Sequence, residues 1–245
     1  MRIYKADLHI HTLLSPCGDL ESTPKKIVDI SSRKGLDIIG ITDHNSTLHC
    51  ELVAAFAKDK DIFVLMGSEV TTKEESHCLC FFSDLDSLAS FQGYLDNHIP
   101  DIINDPDLFG DQVQVDKDEN IVFEEKRLLT SALDVGIETI CAKVKNLDGI
   151  FIPAHIDKSR NSVISQLGYI PADLEYDAVE ISEHANKEQI MKQHPYLKGK
   201  TFIMSSDAHF PEKIGSVCTS FQLEELSFNE IRKALSNEEG RVAFF

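Results

Sequence analysis

The chain has little of what would direct it to a membrane, a disulfide framework or a polyanion. No apolar run approaches the roughly 20 residues needed to cross a bilayer, and Met1 to Asp7 contain no apolar signal-peptide core. A cytoplasmic location is therefore expected, with no membrane partner. The six cysteines (Cys17, Cys50, Cys78, Cys80, Cys141, Cys218) form no C-x-x-C pair and show no spacing of a small secreted domain, which argues against a disulfide scaffold. Most read as small buried hydrophobes. Basic residues are scarce: 24 Lys and Arg stand against 41 Asp and Glu, for a net charge of −17. With no basic stripe to displace counterions, a long nucleic-acid duplex is a poor partner. Phosphate itself is not excluded, because metal ions can supply local positive charge.

At 245 residues with 42% hydrophobic and 27% charged side chains, the chain suits one domain with a substantial core, spanning residues 1–245. Short apolar runs bounded by polar residues, glycine or proline predict strands at Ile3 to His11, Leu36 to Thr42, Ile62 to Val70, Cys78 to Phe82, Ile150 to Ile156, Ala178 to Ser182 and Thr201 to Ser205. Helical stretches lie between several of them. Thr23-Pro24 supplies an N-cap and a first-turn proline, Gly35 a left-handed stop, and Ser227 with Glu230 a capping-box pattern. Alternating β and α elements predict a largely parallel sheet, and functional residues at nearly every strand end favour a barrel over an open sheet. The interval from Ser83 to Thr130 breaks the alternation. Within it, Gln112 to Val115 and Ile121 to Phe123 flank a five-residue polar loop and predict a hairpin, so 83–130 reads as an insertion, either a lid or a surface elaboration.

Histidines cluster at the strand boundaries. In Asp7-Leu8-His9-Ile10-His11, side-chain alternation puts Asp7, His9 and His11 on one strand face, and paired imidazoles can grip one divalent ion. The pattern recurs in Thr42-Asp43-His44-Asn45, Gly67-Ser68-Glu69, His77, Pro153-Ala154-His155, Glu180-Ile181-Ser182-Glu183-His184 and Ser206-Asp207-Ala208-His209. His49, His98 and His194 have helical or loop contexts and read as structural. The loop Leu14 to Asp19 could fold back and present Asp19 or Cys17. His77 is anomalous, since it opens a strand and must reach the others from a loop.

Mostly imidazole donors with a few carboxylates suit Zn, Mn or Fe better than Mg or Ca. Nine candidate ligands (His9, His11, Asp19, His44, Glu69, His77, His155, Asp207, His209) exceed the four or so that one ion takes, so two to three divalent ions are expected, with Glu69 and Asp207 as natural bridges. Such a cluster suits phosphate-ester hydrolysis by a metal-activated hydroxide.

These residues resemble, in identity and order, the motifs of the PHP (polymerase and histidinol phosphatase) superfamily of metal-dependent phosphoesterases. The resemblance spans the chain apart from the insertion. It implies a distorted (β/α)7 TIM-like barrel carrying a trinuclear centre. It also implies that His9, His11, Glu69 and Asp207 hold one ion, that Glu69, His77 and His155 hold a second, and that His44 and His209 hold a third with one ligand from the loop after the first strand. Many relatives carry that last ligand where Pro16 and Cys17 stand here, and Asp19 is the preferred substitute because a carboxylate suits the site.

Weaker candidates surround this set. Asp7 could orient a ligand imidazole or simply bond the strand end. Lys158 and Arg160 could bind substrate phosphate or be solvated loop charges. His184 could protonate the leaving group or serve a structural bond. The expected substrate is a small phosphomonoester, a nucleotide or a short oligonucleotide end. Two other readings stand beside this one: a non-catalytic metal-binding barrel acting as a regulatory or interaction module, and an amidohydrolase-like enzyme. The second usually needs a mid-chain lysine at a strand end, which is missing here.

Overall fold

Eleven strands and eight α-helices form in the computed structural model, which describes residues 1–245. The strands are β1 (Arg2–Ile10), β2 (Ile38–Ile41), β3 (Phe63–Thr71), β4 (His77–Phe82), β5 (Val113–Val115), β6 (Ile121–Glu124), β7 (Ile150–Pro153), β8 (Val179–Ile181), β9 (Phe202–Met204), β10 (Thr219–Leu223) and β11 (Val242–Phe244). All seven expected strands are present. Two more, β10 and β11, were not anticipated, although Thr219 to Leu223 alternates buried and half-buried residues as a strand should.

Seven strands form one curled sheet in the order β11-β10-β1-β2-β3-β4-β7, while β8 and β9 make a separate parallel pair. The result is a mixed α/β half-barrel. Only β1-β2-β3 run parallel within the large sheet; β4, β7, β10 and β11 join antiparallel to their neighbours. The expectation of a largely parallel sheet is corrected by connection length. Only residues 72–76 separate β3 from β4, far fewer than the dozen a parallel crossover needs. That turn closes through Thr72 N–H to Ser76 O (2.9 Å), with Glu75 left-handed at φ 60°.

This reversal explains His77. Because β4 returns from the end of β3, Thr71 pairs with His77, and the start of β4 lies beside the end of β3. Since β7 runs antiparallel to β4, pairing Cys78 with Pro153, its final residues arrive at the same edge. Single hydrogen bonds bring the β8–β9 pair across the open side of the sheet. Ile156 N–H reaches Glu180 O (2.9 Å) on one flank; on the other, His11 N–H reaches Ala208 O (2.9 Å) and Ala208 N–H reaches His9 O (3.1 Å).

Local signals at the helix ends follow the sequence. Thr23 caps helix Pro24–Arg33 through Lys26 N–H, and Gly35 takes φ 66°. Ser227 caps Phe228–Leu235 through Glu230 N–H, but the capping box is only half formed. The Glu230 carboxylate turns instead to Glu224 N–H (2.9 Å) and to Arg241 Nε (3.0 Å). The 83–130 interval contains helix Leu85–His98 and the β5–β6 hairpin, whose polar loop spans residues 116–120 as expected. Val113 and Val115 seat the hairpin on Leu13, in the loop after β1, with Leu52 alongside. No helix is long and apolar enough to cross a membrane.

The register of β1 against β2 shifts between Asp7 and Ile10, and there β2 approaches closely. A Cβ on Gly40 would lie 2.3 Å from Leu8 O, with only backbone around it. Gly40→Ala is therefore expected to destabilise the fold by about 3 kcal/mol, whereas Gly93→Ala, in a helix with open space around the position, should be neutral or gain up to about 1 kcal/mol. Chemical denaturation of the two variants checks the contrast.

Candidate metal centre

The strand ends meet as the topology requires. His9 and His11 come from the end of β1, His44 from just beyond β2, Glu69 from β3, His77 from the start of β4, His155 from just beyond β7, and Asp207 and His209 from beyond β9. Three of these junctions use left-handed backbone at residues other than glycine: Asn45 (φ 46°), His155 (φ 29°) and Asp207 (φ 49°). Such conformations cost of order 1–3 kcal/mol each and persist only where the surroundings hold them. Here they are held. Asn45 accepts Thr71 N–H (3.1 Å) and donates to Leu129 O (2.7 Å), His155 N–H is bound by Glu180 (3.1 Å), and Asp7 grips Ser206 beside Asp207 through N–H (3.0 Å) and hydroxyl (2.6 Å).

Glu69 sits at the centre, 1% exposed. Its Oε1 lies 2.8 Å from His77 Nδ1, 3.1 Å from His155 Nε2 and 3.3 Å from His9 Nε2; its Oε2 lies 3.1 Å from His44 Nδ1 and 3.4 Å from His11 Nε2. Asp207 Oδ1 faces the same space, 3.4 Å from His9 Nε2 and 3.5 Å from both His11 Nε2 and His209 Nδ1. Three donor groups are compact enough to share an ion each: His9, His11, Glu69 and Asp207; His44, Glu69 and His77; and His11, His44 and His209.

The donor atoms fit divalent cations. His9 Nε2, His11 Nε2, His44 Nδ1 and Asp207 Oδ1 are buried with no hydrogen-bond partner, an expensive state that metal coordination would relieve. Burial opposes charge on His9, but Glu180, Glu69 and Asp207 outweigh it and hold its pKa well above the ordinary imidazole value. His11 is raised too, with burial outweighed by Asp207 and Glu69. Burial, reinforced by neighbouring imidazoles, drives His44 well below its usual value and His209 down to about 4, so both present neutral nitrogens. Despite burial, the surrounding histidines hold Glu69 and Asp207 well below the usual carboxylate range.

Behind the donors stand groups that the sequence reading did not assign. Glu180, 2% exposed, accepts from His9 Nδ1 (3.0 Å) and from His155 N–H, which leaves His9 Nε2 facing the cluster. Asn161 Nδ2 contacts His77 Nε2 (2.8 Å), leaving Nδ1 toward Glu69. A glutamate in the apolar run of β8 was the one available signal for Glu180. Asp7 touches no ligand imidazole. It holds Ser206 and Gly215, and burial pushes its carboxyl up to about 6.

Asp19 stands outside all three donor groups. Its carboxylate accepts Glu21 N–H (2.7 Å) and shapes its own loop. Cys17 is exposed. His44, Glu69, His77, His155, Asp207 and His209 line a cavity of about 210 Å³ together with Lys158, Arg160 and Asn161. Lys158 bonds Asp207 Oδ2 at its rim. An adjoining cavity of about 340 Å³ shares His155, Lys158 and Asp207 and is walled by Glu180, Glu183, His184, Ser205 and Ser206. Lys158, Arg160 and His184 therefore lie at the mouth, and His184 faces the second cavity rather than the first.

Residues 7–99 match the model of the PHP domain, and residues 197–239 match that of the PHP-associated segment. Uncharacterized protein YqxK of Bacillus subtilis is 25% identical over 98% of this chain and 63% of its own length. The lesion-specific endonuclease EndoQ of Pyrococcus furiosus superposes with a TM-score of 0.76 at 20% identity, covering 99% of this chain and 58% of the endonuclease. Endonuclease Q in complex with a 27-mer duplex bearing an abasic lesion at the active site gives 0.75 at 20% identity, over 98% and 58%. A Bifidobacterium adolescentis protein, proposed to be a metal-dependent phosphoesterase, gives 0.62 at 18% identity over 95% and 96%. The chain thus spans about three-fifths of the length of YqxK and EndoQ.

Two outcomes follow from this geometry. Glu180→Ala should weaken zinc or manganese binding by about 10- to 100-fold, and Glu180→Gln, which keeps an acceptor, by less; equilibrium dialysis with elemental analysis measures both. Because the carboxylates raise His9 and His11, cation binding at pH 7 should release protons and weaken as pH falls. Calorimetry in buffers of different ionisation enthalpy reads that release.

Proposed function

From the membership of this chain in the PHP superfamily, we propose that it is a metal-dependent phosphoesterase acting on a small phosphomonoester or a nucleotide. The observation that carries this reading is Glu69 ringed by five imidazoles, beside unpartnered donor atoms of His9, His11 and Asp207. His9, His11, Glu69 and Asp207 would hold one ion and Glu69, His77 and His155 a second. His44 and His209 would hold a third, at a place where they are grouped with His11 and not with Asp19. Zinc, manganese or iron there would supply an activated water and neutralise phosphate charge.

The chain's own residues supply orientation and proton transfer. Lys158 and Arg160 reach over the first cavity, where Arg160 suits bidentate phosphate binding and Lys158 can exchange its Asp207 partner for a phosphate oxygen. His184, on the wall of the adjoining cavity, would give a proton to a leaving alkoxide lodged there. Glu180 keeps the His9 Nδ1 proton engaged, so that only Nε2 is offered inward. Retention of nearly the whole donor set speaks against the non-catalytic alternative.

A second reading has one specific support, the fold shared with Endonuclease Q, which binds a lesion-bearing duplex. A phosphodiester in DNA would meet the same donors. The net charge of −17 weighs against it, since a duplex needs basic surface that this chain offers sparingly.

Assays with an aryl phosphate, a panel of nucleoside and sugar monophosphates, and a duplex carrying an abasic site separate the two. Chelation should abolish monoester hydrolysis and manganese or zinc restore it. Monoesterase activity untouched by prolonged chelation would overturn the proposal, and cleavage confined to the duplex would select the second reading.

A further inference from the structure

Asp43, 1% exposed, precedes His44, and its side chain bonds Thr12 and Ser15. Its carboxylate is surrounded by donors. Oδ1 accepts Thr12 N–H (2.7 Å) and Ser15 Oγ–H (2.8 Å), and Oδ2 accepts Thr12 Oγ1–H (2.8 Å). An ionised carboxylate can only accept, so both hydroxyl protons point toward it and the polarity of each neighbouring bond is fixed. With its proton committed, Ser15 Oγ must accept from His11 Nδ1 (2.9 Å), as it accepts His44 N–H (3.1 Å). His11 then carries hydrogen on Nδ1 and directs Nε2 into the cluster, where that atom has no other partner.

The same logic runs outward. Thr12 Oγ1, having donated to Asp43, accepts from His49 Nδ1 (2.7 Å), so His49 Nε2 is an acceptor, and it receives the backbone N–H of Val115 (3.0 Å). A peptide N–H cannot reverse its role, so the far end of the network demands the polarity that Asp43 imposes at its centre. Val115 belongs to β5 of the insertion, and its side chain packs with Val113 on Leu13. His49, which reads as structural from its context, is fully buried and joins the two.

We propose that Asp43 is the positioning residue for His11, and that through Thr12 and His49 the same carboxylate ties the docked state of the insertion hairpin to cation binding. The inference rests on the reading of His11 as a metal ligand. Coupling of this kind is reciprocal: whatever stabilises one end stabilises the other. The insertion is thereby a part of the fold that senses whether the centre is loaded.

The test uses the full chain and zinc alone. Asp43→Ala removes the acceptor that holds the Ser15 proton, so that Ser15 can donate to His11 Nδ1 and turn the wrong nitrogen inward. Zinc affinity should fall about 10- to 100-fold, and long-range nitrogen NMR of the zinc-loaded protein should show loss of the His11 Nδ1–H. Ser15→Ala should do the same and answers the question if the first variant fails to fold. In the wild type, zinc should slow amide exchange at Val115 by about fivefold or more. His49→Gln should preserve that effect, whereas His49→Leu should abolish it with zinc uptake retained. Unchanged zinc affinity in folded Asp43→Ala, or Val115 exchange indifferent to zinc, overturns the inference. A wild type that takes up no zinc removes the metal-centre reading and this inference with it.

Discussion

The structure depends on one buried carboxylate. Glu69 has been taken out of water at the heart of the sheet, a step costing several kcal/mol for an ion without compensation, and five imidazoles from four segments stand within 3.4 Å of its two oxygens. Its backbone is committed as well. Glu69 N–H lies against Thr42 O and Asp43 O, and Glu69 O accepts Asn45 N–H, so β3 fixes the loop that carries His44 while presenting the acid. A carboxylate so placed needs positive charge nearby. The chain meets that need through His9 and His11, whose affinity for protons the neighbouring carboxylates raise, and the unpartnered nitrogens beside it are where cations would take the place of those protons.

Around this centre lies a ring of carboxylates that point elsewhere. Glu180 faces His9 and His155, Asp43 faces Thr12 and Ser15, and Asp7 faces Ser206 and Gly215. Each binds a segment whose backbone or ring must be held in one orientation, and two of those segments contain left-handed residues at the centre itself, His155 and Asp207. The acidity of the chain is thus partly interior. That interior part anchors strained loops, while most acidic side chains lie outside the core.

Much of this was legible in the sequence because the signals are local. An apolar run ending in histidine or acid marks both a buried strand and the candidate donor at its mouth; the seven strands form where that pattern puts them, seven of the nine candidate donors gather in the three compact groups, and His155 lies against Glu69. Thr23, Gly35 and the 116–120 loop are likewise written in a few adjacent residues. Strand direction was not legible in the same way. Apolar periodicity is blind to it, and the five-residue link between Thr71 and His77, the one direct indication, was overridden by the alternation of β and α elements. Asp19, proposed from its loop position, lies outside the compact donor groups, and its carboxylate accepts Glu21 N–H within its own loop. Glu180, Asp43 and His49 act through bonds spanning 171, 31 and 66 residues, and no local spacing encodes such pairings.

The bridge between Ile10 and Ala208 has a further meaning for cooperativity. A cation gripped by His9, His11, Glu69 and Asp207 would tie together segments far apart along the chain, closing a long loop at a single point. Because that grip exists only when every one of those segments is in place, the free energy of ion capture would be added to that of the assembled fold and not to any one of its parts.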